Sequence, residues 1–282
     1  MAKFILSAFA DEASPVFTEQ LEALKRHNIP LLEIRGVDGK NVMELSDEEL
    51  AVVREKMDAY GISLSAVGSP MGKISITDDF EPHFEKFKRA VEITKKLGTE
   101  RIRMFSFFMP KDEDPEIYFD EVVRRTQAMA EYAEANGVHC CHENEKGIYG
   151  DTLARVQKLH AAVPALRLVF DPANYIQCGD LPRENFAALS SMIDYMHIKD
   201  AFLADGAVVP AGEGDGDIPT LLKALAETDN TYMLTLEPHL AVFSGLQNLQ
   251  DEELTHKYTY ESNEKAFDAA VNALKAILEK IA

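Results

Sequence analysis

Residues 62–105, ISLSAVGSPMGKISITDDFEPHFEKFKRAVEITKKLGTERIRMF, carry one full strand–helix–strand period. Residues 62–67 form a short apolar run of strand length. Phe84, Phe87 and Val91 then recur at helical spacing until Gly98, and residues 101–105 begin the next run. A helical stripe between two short apolar runs reads as a βαβ unit. The period continues in both directions. Upstream, residues 4–9 and 31–35 read as strands, separated by a helix that Ser14 caps and Pro15 opens, with Phe17, Leu21 and Leu24 on one face. Ser46 and Glu49 make a capping box ahead of Leu50, Val53 and Met57, and Gly61 ends that helix. Downstream, strands are read at 138–142, 166–170, 195–198 and 232–236. The helices between them run from about 115 to 136, from an Asp151 cap through Leu153, Val156 and Leu159, over 182–192 and over 219–226. A closing helix carries Phe267, Val271, Leu274, Leu278 and Ile281.

Eight such units share 282 residues, about 35 each. Alternating β and α elements with short connections imply a parallel sheet with right-handed crossovers. Eight repeats closed by a helix favour an α/β fold of the (β/α)8 TIM-barrel type, read as one domain over 1–282, rather than an open doubly wound sheet. The first βα turn, residues 8–12, also lacks a glycine fingerprint for a dinucleotide. Two longer insertions, 36–45 and 202–218, fall on the βα side, where barrel enzymes carry substrate loops.

Composition narrows the function classes. The apolar fraction of 46% supplies a core, which excludes wholesale disorder. The formal charge of −19 argues against a nucleic-acid partner, because phosphate binding draws its affinity from clustered Lys and Arg. No apolar stretch approaches the roughly 18 residues of a membrane span. The opening residues offer no long apolar core with a small-residue cleavage site, and Cys140, Cys141 and Cys178 are too few for a disulfide framework. The expectation is a cytoplasmic protein.

Barrel chemistry sits where strands end, and four consecutive strand ends each deliver a potential metal ligand: Glu143, Asp171, His197 and Glu237. Their separations of 28, 26 and 40 residues are each about one βα unit. Three carboxylates and one imidazole form an oxygen-rich set suited to Mn²⁺ or Mg²⁺, with Co²⁺ or Zn²⁺ also compatible. Carboxylates converging in a barrel mouth repel one another and call for a cation. Glu33 and Arg35, at the end of the second strand, read either as contacts to substrate hydroxyls or as an exposed ion pair. Lys199 reads as a holder of a carboxylate, phosphate or carbonyl oxygen, or as the partner of Asp200 or another rim acid. Residues 105–109 read as an apolar pocket wall or as core. Cys140 and Cys141 read as buried packing residues.

Glu143-Asn144, Asp171-Pro172-Ala173-Asn174, His197-Ile198-Lys199-Asp200, the stretch 212–218 and Leu236-Glu237-Pro238-His239 together resemble the xylose isomerase-like TIM barrel superfamily, and within it the sugar phosphate isomerase/epimerase group. That resemblance implies one divalent metal on Glu143, Asp171, His197 and Glu237, with Glu143 and Glu237 also moving the proton. Asn174 stands where the epimerase branch often places a substrate-contacting histidine, a departure from the pattern. The implied partner is a small sugar or keto-polyol, and homodimers or homotetramers are usual in such families. A metal holding a carbonyl and the adjacent hydroxyl stabilises an enediolate while one glutamate removes the α-proton and the other returns one. Returning it to the opposite face is epimerisation, and returning it to the neighbouring carbon is isomerisation.

Three competing readings accompany this one. An inosose-dehydratase-like lyase would use the same metal site and expel a β-hydroxyl. An apurinic endonuclease-like nuclease of the same superfamily needs extra histidines where this chain has Ser69 and Ser106, and needs a basic track that a charge of −19 does not offer. A noncatalytic sugar-binding barrel would not need the paired glutamates.

Overall fold

The computed structural model describes residues 2–242 and 257–281. Eight parallel strands close into a barrel: β1 (Lys3–Ala8), β2 (Leu31–Ile34), β3 (Ser63–Gly68), β4 (Arg101–Met104), β5 (His139–Glu143), β6 (Arg167–Phe170), β7 (Ile193–Ile198) and β8 (Thr231–Leu236). The order around the barrel is β1-β8-β7-β6-β5-β4-β3-β2, so every strand pairs with its sequence neighbours and β1 meets β8. The β1–β8 seam runs from Lys3 opposite Thr231 to Ala8 opposite Leu236. The (β/α)8 expectation therefore holds.

Helices α1 (Phe17–Arg26), α2 (Asp47–Tyr60), α3 (Phe80–Leu97), α4 (Phe119–Ala135), α5 (Leu153–Ala162), α6 (Pro172–Gln177), α7 (Pro182–Leu189), α8 (Ile218–Ala226) and α9 (Asn263–Ile281) complete the units. The α2 capping box forms as read: Ser46 Oγ accepts from Glu49 N, and Glu49 Oε2 accepts from Ser46 N at 2.8 Å. Gly61 and Gly98 end α2 and α3 in the left-handed region, where glycine pays no Cβ penalty. Phe267, Val271 and Leu274 of α9 bury fully.

Three local expectations are corrected. Helix α1 opens at Val16, not Ser14-Pro15, because a 3₁₀ turn over Ala10–Glu12 takes up the intervening chain. The amide of Phe17 is satisfied at long range instead, donating to Asp38 Oδ1 at 2.8 Å. Asp151 does not cap α5. It lies in the 3₁₀ turn Tyr149–Asp151 and pairs with Arg155, while Asp180 Oδ2 accepts from Leu153 N. Finally, Asp171-Pro172-Ala173-Asn174, which by sequence reads as a turn, is the N-terminus of a short helix, α6, with the Asp171 side chain as its cap and Pro172 at the first turn.

Both insertions are ordered hairpins. In the first, Gly36–Val37 pairs antiparallel with Lys40–Asn41, and in the second Asp200–Ala201 pairs with Val208–Val209. The barrel interior is filled by Ala66, Cys141, Val169 and Tyr195, above which the strands end in charged residues. Cys140 packs outward under α3 and α4. Burial pushes both Cys140 and Cys141 thiols up, consistent with packing roles.

The loop after β3 is held by a close backbone approach. Gly72 has φ +92°, and a Cβ there would lie 2.0 Å from the carbonyl oxygen of Phe105. Its amide donates to His83 Nε2 at 2.8 Å, so His83 is neutral and buried. Burial, with Lys86 and Arg125 nearby, lowers His83 to about 4. Gly72→Ala should lower the urea unfolding free energy by more than about 2 kcal/mol, since both φ and the contact oppose a side chain; an unchanged midpoint would contradict the geometry. Because His83 in the folded chain lies below the ordinary imidazole value of 6.5, the unfolded chain binds the proton first on acidification. Its contribution is therefore complete above pH 6.5 and is lost as pH falls toward 4. His83→Gln, whose amide oxygen still accepts from Gly72, should flatten the fall in melting temperature over that window. A slope identical to the parent's would remove His83 as a source.

Candidate metal centre

The barrel rim gathers Glu143 at the end of β5, Asp171 one residue past β6, His197 near the end of β7 and Glu237 one residue past β8. One ligand atom from each lies within 4.8 Å of all the others, and all four side chains are buried. His197 Nδ1 is 2.9 Å from Glu143 Oε1 and 3.1 Å from Glu237 Oε2. Lys199 Nζ stands 2.9 Å from Asp171 Oδ2 and 3.7 Å from Glu237 Oε2. The structure thus brings together all four residues that the strand ends nominated.

Electrostatics show what this cluster lacks. Burial alone would raise Glu143, but the charges of His197 and Arg103 outweigh it and hold the carboxyl below its usual range. Burial would likewise raise Glu237, and Lys199 and His197 bring it well below. Asp171 remains raised to about 6, burial outweighing Lys199. Burial would lower His197, yet Glu143, Glu33 and Glu237 drive it well above its ordinary value, so a proton there stands in for missing positive charge. Glu143 Oε2, Asp171 Oδ2 and Glu237 Oε2 accept no hydrogen bond, and meet only cations at ion-pair range. Three hard oxygens and one imidazole nitrogen so disposed fit a divalent cation.

A ring of fixed groups orients the quartet. Glu33 is 0% exposed, accepts from Tyr195 OH at 2.9 Å and lies 3.3 Å from His197 Nε2. A proton on Nε2 shared with Glu33 leaves Nδ1 facing the carboxylates, the usual way a carboxylate sets a ligating imidazole. The exposed Glu33–Arg35 pair is therefore corrected: both are buried, and they bind different partners. Lys199 pairs with Asp171 rather than Asp200. Asp200 instead accepts backbone N–H groups from Ala201, Gly212, Gly214 and Gly216. A Cβ at Gly214 or Gly216 would lie 2.4 or 2.6 Å from Asp200 Oδ1, which accounts for two of the glycines in the 212–218 stretch. Asn174 Nδ2 donates to Glu143 Oε1 at 3.2 Å and to the carbonyl of Asn144 at 2.8 Å.

Sequence reasoning missed Asp11, Glu12, Arg103 and His239. Arg35 binds Asp11 through Nε and Nη2 at 2.9 and 3.0 Å, and its Nη1 donates to Glu237 Oε1 at 3.0 Å. Arg103 Nη1 reaches Glu143 Oε2 and Glu237 Oε1 at 3.2 and 3.3 Å. The signal was register: Arg103 stands opposite Gly68 and Cys141, at an inward position of a strand. Glu12, Glu237 and His239 also converge, but Arg35 already bridges the two carboxylates there. Burial raises Glu12 to about 8 despite Arg35. Ser69 donates to the Arg103 carbonyl, and His142, within the strand read at 138–142, is tied to Ser106 and His160. Phe105 of the 105–109 run carries Arg103 and Lys73 on its ring, while Phe107 joins the core.

No curated protein matches this sequence. Among solved structures, L-ribulose 3-epimerase superposes with a TM-score of 0.72 at 16% identity, over 100% of this chain and 96% of that one. A xylose isomerase-like TIM barrel protein from Mycobacterium smegmatis in complex with magnesium gives 0.69 at 15% identity, over 100% and 98%. The probable 3-DHS dehydratase AsbF from Bacillus anthracis gives 0.69 at 18% identity, over 98% and 99%. At such identities these likenesses speak for the fold. The family model of the xylose isomerase-like TIM barrel matches residues 21–277, nearly the whole chain, and the protein belongs to that family.

Proposed function

We propose that this protein is a divalent-metal-dependent isomerase or epimerase of a sugar or keto-polyol, with Glu143, Asp171, His197 and Glu237 as metal ligands and Glu143 and Glu237 as the proton-transferring pair. The observation that carries the reading is the buried quartet, whose ligand atoms lie within 4.8 Å of one another. A bound divalent ion supplies a Lewis acid for a carbonyl and its neighbouring hydroxyl, which makes the α-proton removable by a carboxylate. The rest is work for side chains. Oε1 of Glu143 is held by Asn174, and Oε1 of Glu237 by Arg35 and Arg103. Each glutamate is therefore fixed through one oxygen and keeps Oε2 without a hydrogen bond. Two oriented carboxylates, one from β5 and one from the end of β8, suit removal of a proton by one and delivery by the other. Lys199, beside Asp171 and Glu237, can hold a substrate oxygen as a cation, and Glu33 acts through the His197 ring.

A lyase of the inosose-dehydratase kind is the second reading. It is favoured by Glu12, whose carboxyl burial raises to about 8 against the pull of Arg35, so that it is a candidate acid for a departing hydroxyl.

The experiment is to strip the protein with chelator, restore Mn²⁺, and follow solvent deuterium into a panel of ketoses. Exchange at the carbon next to the carbonyl is the expected result. Loss of water from an inosose, with no exchange in any ketose, would move the assignment to the lyase. Glu143→Gln and Glu237→Gln should each slow exchange by about 10²- to 10⁴-fold, the usual range for a lost general base or acid. Substitution without effect would remove that residue from proton transfer. Mn²⁺ at 100 times its dissociation constant should stabilise the parent by about 2.7 kcal/mol. Glu143→Gln should need at least tenfold more Mn²⁺ for the same gain, measured as a shift in melting temperature. Glu143 is the better probe than Asp171, whose side chain also caps α6.

A further inference from the structure

Arg35, which donates to Glu237 of the quartet, lines a cavity of about 520 Å³ between the 36–45 hairpin, residues 70–74 and the first turns of α3. That is ample for a small substrate. Its wall inverts the character of the chain: Arg35, Lys40, Lys73, Lys86 and Arg89 face it against only Asp11 and Glu44, whereas the whole sequence has 48 acids to 29 bases. Arg35 belongs to both places, lining the cavity while its Nη1 donates to Glu237 at 3.0 Å. Resting on the reading of that quartet as the reacting centre, we propose that the substrate carries an anionic group, a carboxylate or a phosphate, at the end remote from its reacting carbons, and that this cavity receives it.

The pairing of each cation supports the assignment. Asp11 is already bound side-on by Arg35, which leaves Glu44 as the one lining acid outside such a pair. Lys73 is a placed cation, 7% exposed, held on Glu145 at 2.8 Å and over the Phe105 ring at 4.3 Å. Lys40 pairs with Glu49, and Arg89 with Asp47 and Glu92. Those three carboxylates are 41–57% exposed and do not line the cavity. Exposed pairs of this kind are worth little, so both cations can turn toward a ligand at small cost. Lys86 forms no ion pair among the described residues and is exposed at the rim. Gln20 and Asn41 add neutral polar groups to the same wall. On a surface of net charge −19 an anion is repelled at long range, so a basic cleft leading to an acidic metal centre is where such a substrate gains binding and orientation. A neutral ketose could accept hydrogen bonds from these cations but would bring no charge to match them.

The test is calorimetric titration of the Mn²⁺-loaded full chain with inorganic phosphate and with malonate, using glycerol as the neutral control. Saturable binding of at least one anion is expected. It should weaken at least tenfold in Lys86→Glu and about threefold in Lys86→Gln, and the tighter anion tells phosphate from carboxylate. Failure of both anions to saturate, or unchanged binding in Lys86→Glu, overturns the proposal; Lys86 is exposed, and matching melting temperatures will show that its variants fold. The two readings separate cleanly. Anion binding with no deuterium exchange in any neutral or anionic ketose upholds the cavity and overturns the isomerase. Exchange as fast with neutral ketoses as with their phosphates and their carboxylate analogues upholds the isomerase and overturns the cavity.

Discussion

Like charges crowded out of water are the constraint on which this structure rests. Three carboxylates with ligand atoms within 4.8 Å, all buried, repel one another by about 3–4 kcal/mol per pair at an effective dielectric near 20. The fold tolerates that only by bringing cations to the same rim: Lys199 on Asp171, Arg103 across Glu143 and Glu237, Arg35 on Glu237, and a proton on His197. Compensation by side chains is incomplete, since one oxygen of each acid is left without a hydrogen bond. Such a site is poised to exchange a proton for a metal ion.

Asp171 and His197 each owe their place to a separate device of local structure. Asp171 is held as the cap of α6, its second oxygen left toward the centre. His197 is held by Glu33, and a register shift in the β2–β3 pairing falls between Leu32 and Glu33, just where that side chain must turn inward. Asp200 gathers four amides and so ties the second insertion to the end of β7, two residues beyond the strand that presents His197 and directly after Lys199. Rigidity at the rim comes from these backbone anchors rather than from loops alone, as a site needing narrow geometry demands.

Much of this was legible in the chain itself because barrel topology converts spacing into position. Once the βα period is counted, Glu143, Asp171, His197 and Glu237 fall on one rim, whatever their separation in sequence. The surrounding shell was not legible. Arg103 and Glu33 sit on short strands where inward and outward positions differ by one residue, and the shift before Glu33 changes the phase. Asp11 and Glu12 depend on a 3₁₀ turn that displaced the expected Ser14-Pro15 helix start. The cavity's five cations come from three separate stretches, so no local run of sequence announces a basic wall. Helix α6 was hidden for a different reason: its six residues are too few to show a period.

The central claim is that the four rim residues hold one ion. Anomalous diffraction from crystals grown with Mn²⁺, recorded on both sides of the manganese edge, addresses it directly. The account predicts a single strong peak within bonding distance of Glu143, Asp171, His197 and Glu237. A map with no peak there, the four side chains still paired with Lys199 and Arg103 at saturating Mn²⁺, would contradict it.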